Sequence, residues 1–225
     1  MSFPSLRLAA LPACVALFAS LLMSVCVVTA TPFKDEKSDD GFQTLFDGMT
    51  LDGWDGDSKV FRVEEETIIG GQLKEKIPNN FFLSSKDEYA DFELQLEFRL
   101  IGEATNAGVQ LRSSRIPGHH EMIGYQADLG QKYWGALYDE SRRNKILAGP
   151  KKEDMVKIVK KEDWNDYTIR AQGPHIQLWV NGTKTVDYTE EDANIDPTGI
   201  IAVQIHSGPA SEASYKEIRI KELGK

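Results

Sequence analysis

Apolar and polar residues alternate along much of this chain with the two-residue period of a β-strand. The longest instance is Phe92-Glu93-Leu94-Gln95-Leu96-Glu97-Phe98-Arg99-Leu100, nine residues without a break. It predicts a strand with Phe92, Leu94, Leu96, Phe98 and Leu100 on a core and Glu93, Gln95, Glu97 and Arg99 on the opposite side. The same period recurs at 109–112, 125–128, 201–206 and 176–180. Asn181-Gly182 follows the last of these and is the strongest short hairpin signal, so residues 175–187 are predicted to be a hairpin. About twelve strand-length segments fit between Phe42 and Leu223, separated by Gly, Pro, Asn and Asp turn signals. The apolar spacing of Met155, Val156, Ile158 and Val159 within 153–161 suits a short amphipathic helix or a loop. Many short strands with almost no helix predict an all-β sandwich or jelly roll.

The first 30 residues break this pattern. Residues 8–28 are almost free of charge, Arg7 precedes them, and Val28-Thr29-Ala30 ends the run with small residues suited to signal peptidase. Residues 1–30 therefore read as a signal peptide, with an uncleaved membrane anchor as the alternative. Residues 31–40 read as a polar linker and 41–223 as one domain, which implies export to the periplasm or the extracellular space of a bacterial-type envelope. Removing a leader that holds Arg7 and no acid lowers the 26 basic residues to 25, against 35 acidic ones. The resulting net charge of −10 argues against nucleic acid and, after cleavage, against a membrane surface, since both reward clustered Lys and Arg. Both cysteines, Cys14 and Cys26, lie in the leader. The remaining domain must be held by its core alone, and cysteine nucleophiles and thiolate-held zinc are excluded.

Candidate chemistry sits on the polar side of the predicted strands. Glu97, Arg112, Gln126, Asp128, Gln204 and His206 are rich in planar hydrogen-bonding groups that suit sugar hydroxyls and carbonyls. A merely solvated face is the competing reading. A second cluster gathers Tyr133, Trp134, Tyr138, Asp139, Glu140, Arg142 and Arg143 within twelve residues. Aromatic faces beside acids and arginines suit a sugar ring, although a core strand ending in a charged loop would look the same. His206 closes an apolar strand next to Ser207-Gly208-Pro209, a position suited to proton exchange or to a structural role. Asp47, Asp52, Asp55 and Asp57 could hold calcium through oxygen, but their spacing is not that of an EF-hand and simple turn chemistry explains them better. No other cofactor is indicated. Phosphate-cradling loops, His-Glu-x-x-His, Gly-x-Ser-x-Gly and dinucleotide fingerprints are missing from the sequence.

Several segments together resemble the 3-keto-disaccharide hydrolase domain family. They are Gly41-Phe42-Gln43-Thr44-Leu45-Phe46-Asp47-Gly48 with Leu51-Asp52-Gly53-Trp54, Tyr89-Ala90-Asp91-Phe92, Asn106-Ala107-Gly108-Val109 with Arg112, Gly124-Tyr125-Gln126-Ala127-Asp128, Trp164-Asn165-Asp166-Tyr167, Trp179-Val180-Asn181-Gly182 and the run from Gly199 to His206. The resemblance implies a concanavalin A-like lectin/glucanase jelly roll and an exported enzyme acting on glycosides already oxidised at C3. Such a ketone acidifies the C2 proton, so a base, an enolate stabiliser and an acid for the leaving group suffice. Combined with the alternation, it nominates His206 or Asp128 as base, Arg112 as enolate stabiliser and Glu97 or Glu140 as acid. Gln126, Trp134, Tyr138, Asp139, Arg142 and Gln204 would hold the sugar. A non-catalytic carbohydrate-binding module on the same fold is the alternative from another class. Neither the glycoside nor the oligomeric state is written in these residues.

Overall fold

The computed structural model describes residues 38–103 and 105–224. The predicted leader and most of the linker lie outside the described residues. Among the described residues no helix is long and apolar enough to cross a membrane. The strands, in chain order, are β1 (Gln43–Thr44), β2 (Trp54–Asp55), β3 (Phe61–Glu64), β4 (Thr67–Gln72), β5 (Phe81–Tyr89), β6 (Phe92–Gly102), β7 (Asn106–Arg115) and β8 (Met122–Gly130). After them come β9 (Leu137–Glu140), β10 (Lys145–Ala148), helix α1 (Lys152–Ile158), β11 (Asn165–Gln172), β12 (His175–Val180), β13 (Thr183–Thr189), β14 (Gly199–Ile205) and β15 (Ser211–Glu222).

These strands form two antiparallel sheets. One runs β13-β12-β11-β6-β15-β4-β3, with β1 added beside β15, and the other runs β10-β9-β8-β7-β14-β5-β2. The architecture is the all-β sandwich that the alternation predicts. β6 buries Phe92, Leu94, Leu96, Phe98 and Leu100 as expected, against Val109, Leu111, Ala127, Leu129, Val203 and Ile205 from the other sheet. Asn181 and Gly182 both take positive φ, 47° and 74°, and turn β12 into β13. Only these values give a two-residue loop the twist its strands need. The stretch at 153–161 resolves as α1, with Met155 buried and Val156 exposed.

Two bulges decide what faces where. In β15 the register shifts between Lys216 and Arg219, with Glu217 at φ 51°. Tyr215 and Ile218 therefore both point inward despite their odd spacing, and Ile220 follows. In β7 the register to β8 shifts between Leu111 and Ser114, with Arg112 at φ 46°. A bulge inserts a residue and re-aims its side chain, and this one takes Arg112 out of the alternation it shares by sequence with Gln110.

Candidate functional site

The outer face of the seven-stranded sheet carries two adjacent rows of residues that cross it. One row pairs Ser84, Ala202, Gln110, Gln126 and Tyr138, and the next pairs Phe82, Gln204, Gly108 and Asp128. This face is not solvated. Gln110, Gln126, Asp128 and Gln204 are all buried, and Phe82, Met122 and Ala202 form a small apolar cluster beside them. Gly108 makes room in the second row: a Cβ there would lie 2.6 Å from Gln126 Cδ. Gly108→Ala is accordingly expected to displace Gln126 and cost about 1–3 kcal/mol, read as a lower denaturant midpoint; an unchanged midpoint would show that Gln126 is not held there.

At one end of these rows a cleft of about 160 Å³ is lined by Asn80, Asn106, Gln126, Asp128, Tyr133, Tyr138, Glu140 and His206. β8 supplies Gln126 and Asp128, β9 supplies Tyr138 and Glu140, β7 supplies Asn106, and His206 follows β14. Asp128 is 4 % exposed. Burial pushes its carboxyl up to about 8; the hydrogen bond from Gln126 opposes the rise and the nearby Glu140 charge adds to it. Glu140 is also raised, by burial first and then by the charge of Glu121. Tyr138 is held in its protonated form by burial and by the neighbouring charges of Glu140 and Asp128. His206 Nδ1 lies 2.7 Å from the Ser207 carbonyl. A carbonyl can only accept, so Nδ1 carries a hydrogen. Asn80 pins the wall: its Nδ2 donates to Glu121 Oε1 at 2.9 Å, and its Oδ1 accepts from Ser207 N at 2.8 Å. Asn106 Oδ1 is buried without a protein partner.

The cleft thus unites His206, Asp128, Glu140, Gln126 and Tyr138 of the sequence candidates. Six others lie elsewhere. Arg112 is a buried clamp, donating from Nε to Ala90 O at 2.7 Å, from Nη1 to Gly173 O at 2.7 Å and from Nη2 to Asp91 Oδ1 at 3.0 Å. Glu97 faces outward from the other sheet, paired with Lys216 at 3.1 Å. Alternation tells which side of a strand a residue occupies but not which sheet owns the strand. Trp134 packs on Phe98 against the core, with ring centroids 6.0 Å apart, and its neighbour Tyr133 enters the cleft instead. Asp139 is fully buried and neutralised by Arg142 and Arg143, while Arg142 also lies over the Tyr125 ring at 4.5 Å. Arg143 continues to Glu190, which accepts from Tyr125 and Tyr188 as well. That network binds β8, β9 and β13 together. Gln204 is buried beneath the face, with neither amide atom hydrogen-bonded to protein. Tyr133, part of the second sequence cluster, also lines the cleft, whereas the sequence reading missed Asn80 and Asn106; Asn80 follows Pro78-Asn79 and looks like turn punctuation.

Among the described residues no group of three or more His, Cys, Asp or Glu is arranged to hold a metal ion. Three of the four aspartates considered for calcium have other partners. Asp47 accepts from Met49 N, Thr50 N and Thr50 Oγ1, Asp57 accepts from Lys59 N, and Asp55 pairs with Arg115 at 3.4 Å.

The two-sheet sandwich is a galectin- or concanavalin A-like fold, and solved structures share it at the level of fold. A protein of Parabacteroides distasonis proposed to be a glycosyl hydrolase aligns with TM-score 0.62 and 16% identity, over 82% of this chain and 95% of its own. The carbohydrate-binding module CBM66 of Bacillus subtilis aligns with TM-score 0.59 and 12% identity, over 76% and 96%. A galectin-like protein of unknown function from Bacillus subtilis aligns with TM-score 0.56 and 9% identity, over 76% and 90%. No curated protein matches the sequence. Residues 41–221 match the model of the 3-keto-alpha-glucoside-1,2-lyase-like domain, and the chain belongs to that family. Membership places it among domains that act on or bind carbohydrate.

Proposed function

We propose that the chain cleaves glycosides carrying a ketone at C3, by elimination across C1 and C2, in the cleft between Asp128 and Glu140. The observation that carries this reading is the buried Asp128 carboxyl, poised at about 8 beside a second raised carboxyl. Glu140 removes the C2 proton, and the electron pair of that bond moves toward the C3 carbonyl to give an enolate. As the carbonyl re-forms, a C1–C2 double bond is made and the C1–O bond breaks. The departing oxygen takes the proton that buried Asp128 retains, leaving a 1,2-unsaturated 3-keto sugar and an alcohol. Water addition to the unsaturated sugar would complete a net hydrolysis. Among the described residues no Lys or Arg lines the cleft. The enolate therefore depends on neutral donors, of which Tyr138, kept protonated, is the best placed, and not on Arg112. His206, Gln126 and Tyr133 hold sugar hydroxyls. We further propose that residues 1–30 direct this domain out of the cytoplasm.

The test is incubation with 3-keto-α-glucosides bearing a chromogenic leaving group, following alcohol release and enone absorbance. The expected pH profile is bell-shaped, because the reactive pair must carry one proton between its two carboxyls. The rate is expected to fall above about pH 8, where the pair loses its last proton, and to fall again in acid where both carboxyls are protonated. Saturable sugar binding without turnover on several such substrates would instead favour a binding module.

A further inference from the structure

Asp128 is reached from inside the fold by one line of buried polar groups. Gln126 Nε2 lies 2.6 Å from Asp128 Oδ1, Gln110 Nε2 lies 2.6 Å from Gln126 Oε1, and Ser113 Oγ lies 2.7 Å from Gln110 Oε1. All four residues are buried, Gln110 completely, and Gln110 and Ser113 lie behind the cleft lining, so bulk water cannot replace a partner lost at those two. In this arrangement every hydrogen is given toward Asp128: Ser113 donates to Gln110, Gln110 to Gln126, and Gln126 to the carboxylate. An ionised carboxylate can only accept, so this is the sense that suits charged Asp128.

The far end of the line permits the opposite sense. Ser113 Oγ also lies 3.0 Å from Leu111 O and 3.2 Å from Tyr125 O. A hydroxyl has one hydrogen, so these carbonyls are alternative acceptors for it. When Asp128 is protonated, its O–H needs an acceptor. Turning both glutamine amides about their terminal torsions, which are broad and two-fold, supplies one. Asp128 then donates to Gln126 Oε1, Gln126 Nε2 to Gln110 Oε1, and Gln110 Nε2 to Ser113 Oγ, whose hydrogen moves to Leu111 O or Tyr125 O. Each link remains donor to acceptor in both senses, and no buried group in the line is orphaned. Packing alone would not call for this chemistry, since apolar residues of similar size fill such space at less desolvation cost.

We propose that Gln110 and Ser113 are positioning residues acting through Gln126, and that the line they form reverses its sense each time Asp128 gains or loses its proton. The proposal rests on the reading of Asp128 as the proton-carrying group of the cleft. The charged and titratable groups around that carboxyl are Glu140 and Tyr138 on β9, Tyr133 before it, Tyr167 on β11, and, around Glu140, His206 and Glu121. Altering Gln110 or Ser113 changes none of them.

The experiment titrates the whole domain without substrate, with ¹³C-carboxyl aspartate and ¹⁵N-glutamine labels. Asp128→Asn assigns the Asp128 carboxyl signal and Gln110→Met assigns the Gln110 amide. The expected result in the native protein is that the side-chain NH₂ signals of Gln126 and of Gln110 both shift with the Asp128 midpoint, although Gln110 does not touch Asp128. A methionine at 110 can accept weakly but cannot donate. Gln110→Met is therefore expected to favour the protonated acid and raise the Asp128 midpoint by about one unit, with the alkaline limb of kcat/KM moving equally. Gln110 signals that stay flat while Asp128 titrates would overturn the proposal, as would an Asp128 that does not titrate between about pH 5 and 10, or an unmoved midpoint in a folded Gln110→Met protein. Should that variant fail to fold, the native titration decides alone. Absence of turnover with the coupled titration intact would count against the proposed activity and leave the hydrogen-bond line standing.

Discussion

Asp128→Asn is expected to lower kcat/KM for a 3-keto-glucoside by about 10²–10⁴-fold, the range for losing a positioned general acid, while sugar binding is retained. The amide keeps the shape of the carboxyl and can still accept from Gln126 Nε2, so the cleft keeps its walls. The same substitution has an opposite effect on stability, and its sign follows from burial. The Asp128 carboxyl titrates near 3.8 when unhindered and at about 8 in the fold. Between those values the folded chain holds a proton that the unfolded chain has lost, so stability falls as pH rises through this window and levels off above about 8. Asparagine has no such proton to lose. The melting temperature of Asp128→Asn relative to the native protein is therefore expected to grow more favourable from pH 5 to pH 8, as thermal melts at both values would read. A constant difference would show that Asp128 is not a buried acid, and full turnover by the variant would place the proton donor elsewhere.

Arg112→Ala should unfold the protein before it affects chemistry. The guanidinium is 2% exposed and ties Ala90, Asp91 and Gly173, joining β7 to the turns on either side of it. Truncation leaves two carbonyls without donors and the Asp91 carboxylate, 20% exposed, without its cation. Removing one partner of a buried pair costs about 3–5 kcal/mol, and a domain of this size loses about 2–4 °C per kcal/mol. A fall in Tm of roughly 6–20 °C is expected on those figures. Turnover per folded molecule, assayed well below that temperature, should stay near the native value. A native Tm with abolished turnover would instead return Arg112 to the reacting sugar.

The fold was legible because its signals are local. The unbroken alternation of 92–100 needs only a period to reveal a half-buried strand, and Asn181-Gly182 needs only two residues willing to take positive φ. The site was legible in part for the same reason: Gln126, Asp128 and His206 stand on the non-core side of strands whose period is clean. Three kinds of error mark where local reading ends. Arg112 was misplaced because a bulge has no sequence mark, and one inserted residue turns its side chain to the other structure around it. Glu97 was misplaced because its strand belongs to the other sheet. Asp139 and Arg142 were taken for sugar ligands because charge looks functional, whereas their mutual neutralisation inside the fold is visible only in space.

By itself, then, the sequence determined the strand period, the hairpin and the inward residues of each strand, since these follow from contacts between neighbours in the chain and from the demand that apolar side chains leave water. Only the tertiary structure decided which polar groups share a cleft. β8, β9, β7 and β14 bring Asp128, Glu140, Asn106 and His206 together across as many as 100 residues of chain, and the order of strands in a sheet depends on pairing between distant segments. The same pairing buries the Asp128 carboxyl against Gln126, Gln110 and Ser113 and so sets its affinity for a proton, a property of its surroundings that no single strand contains.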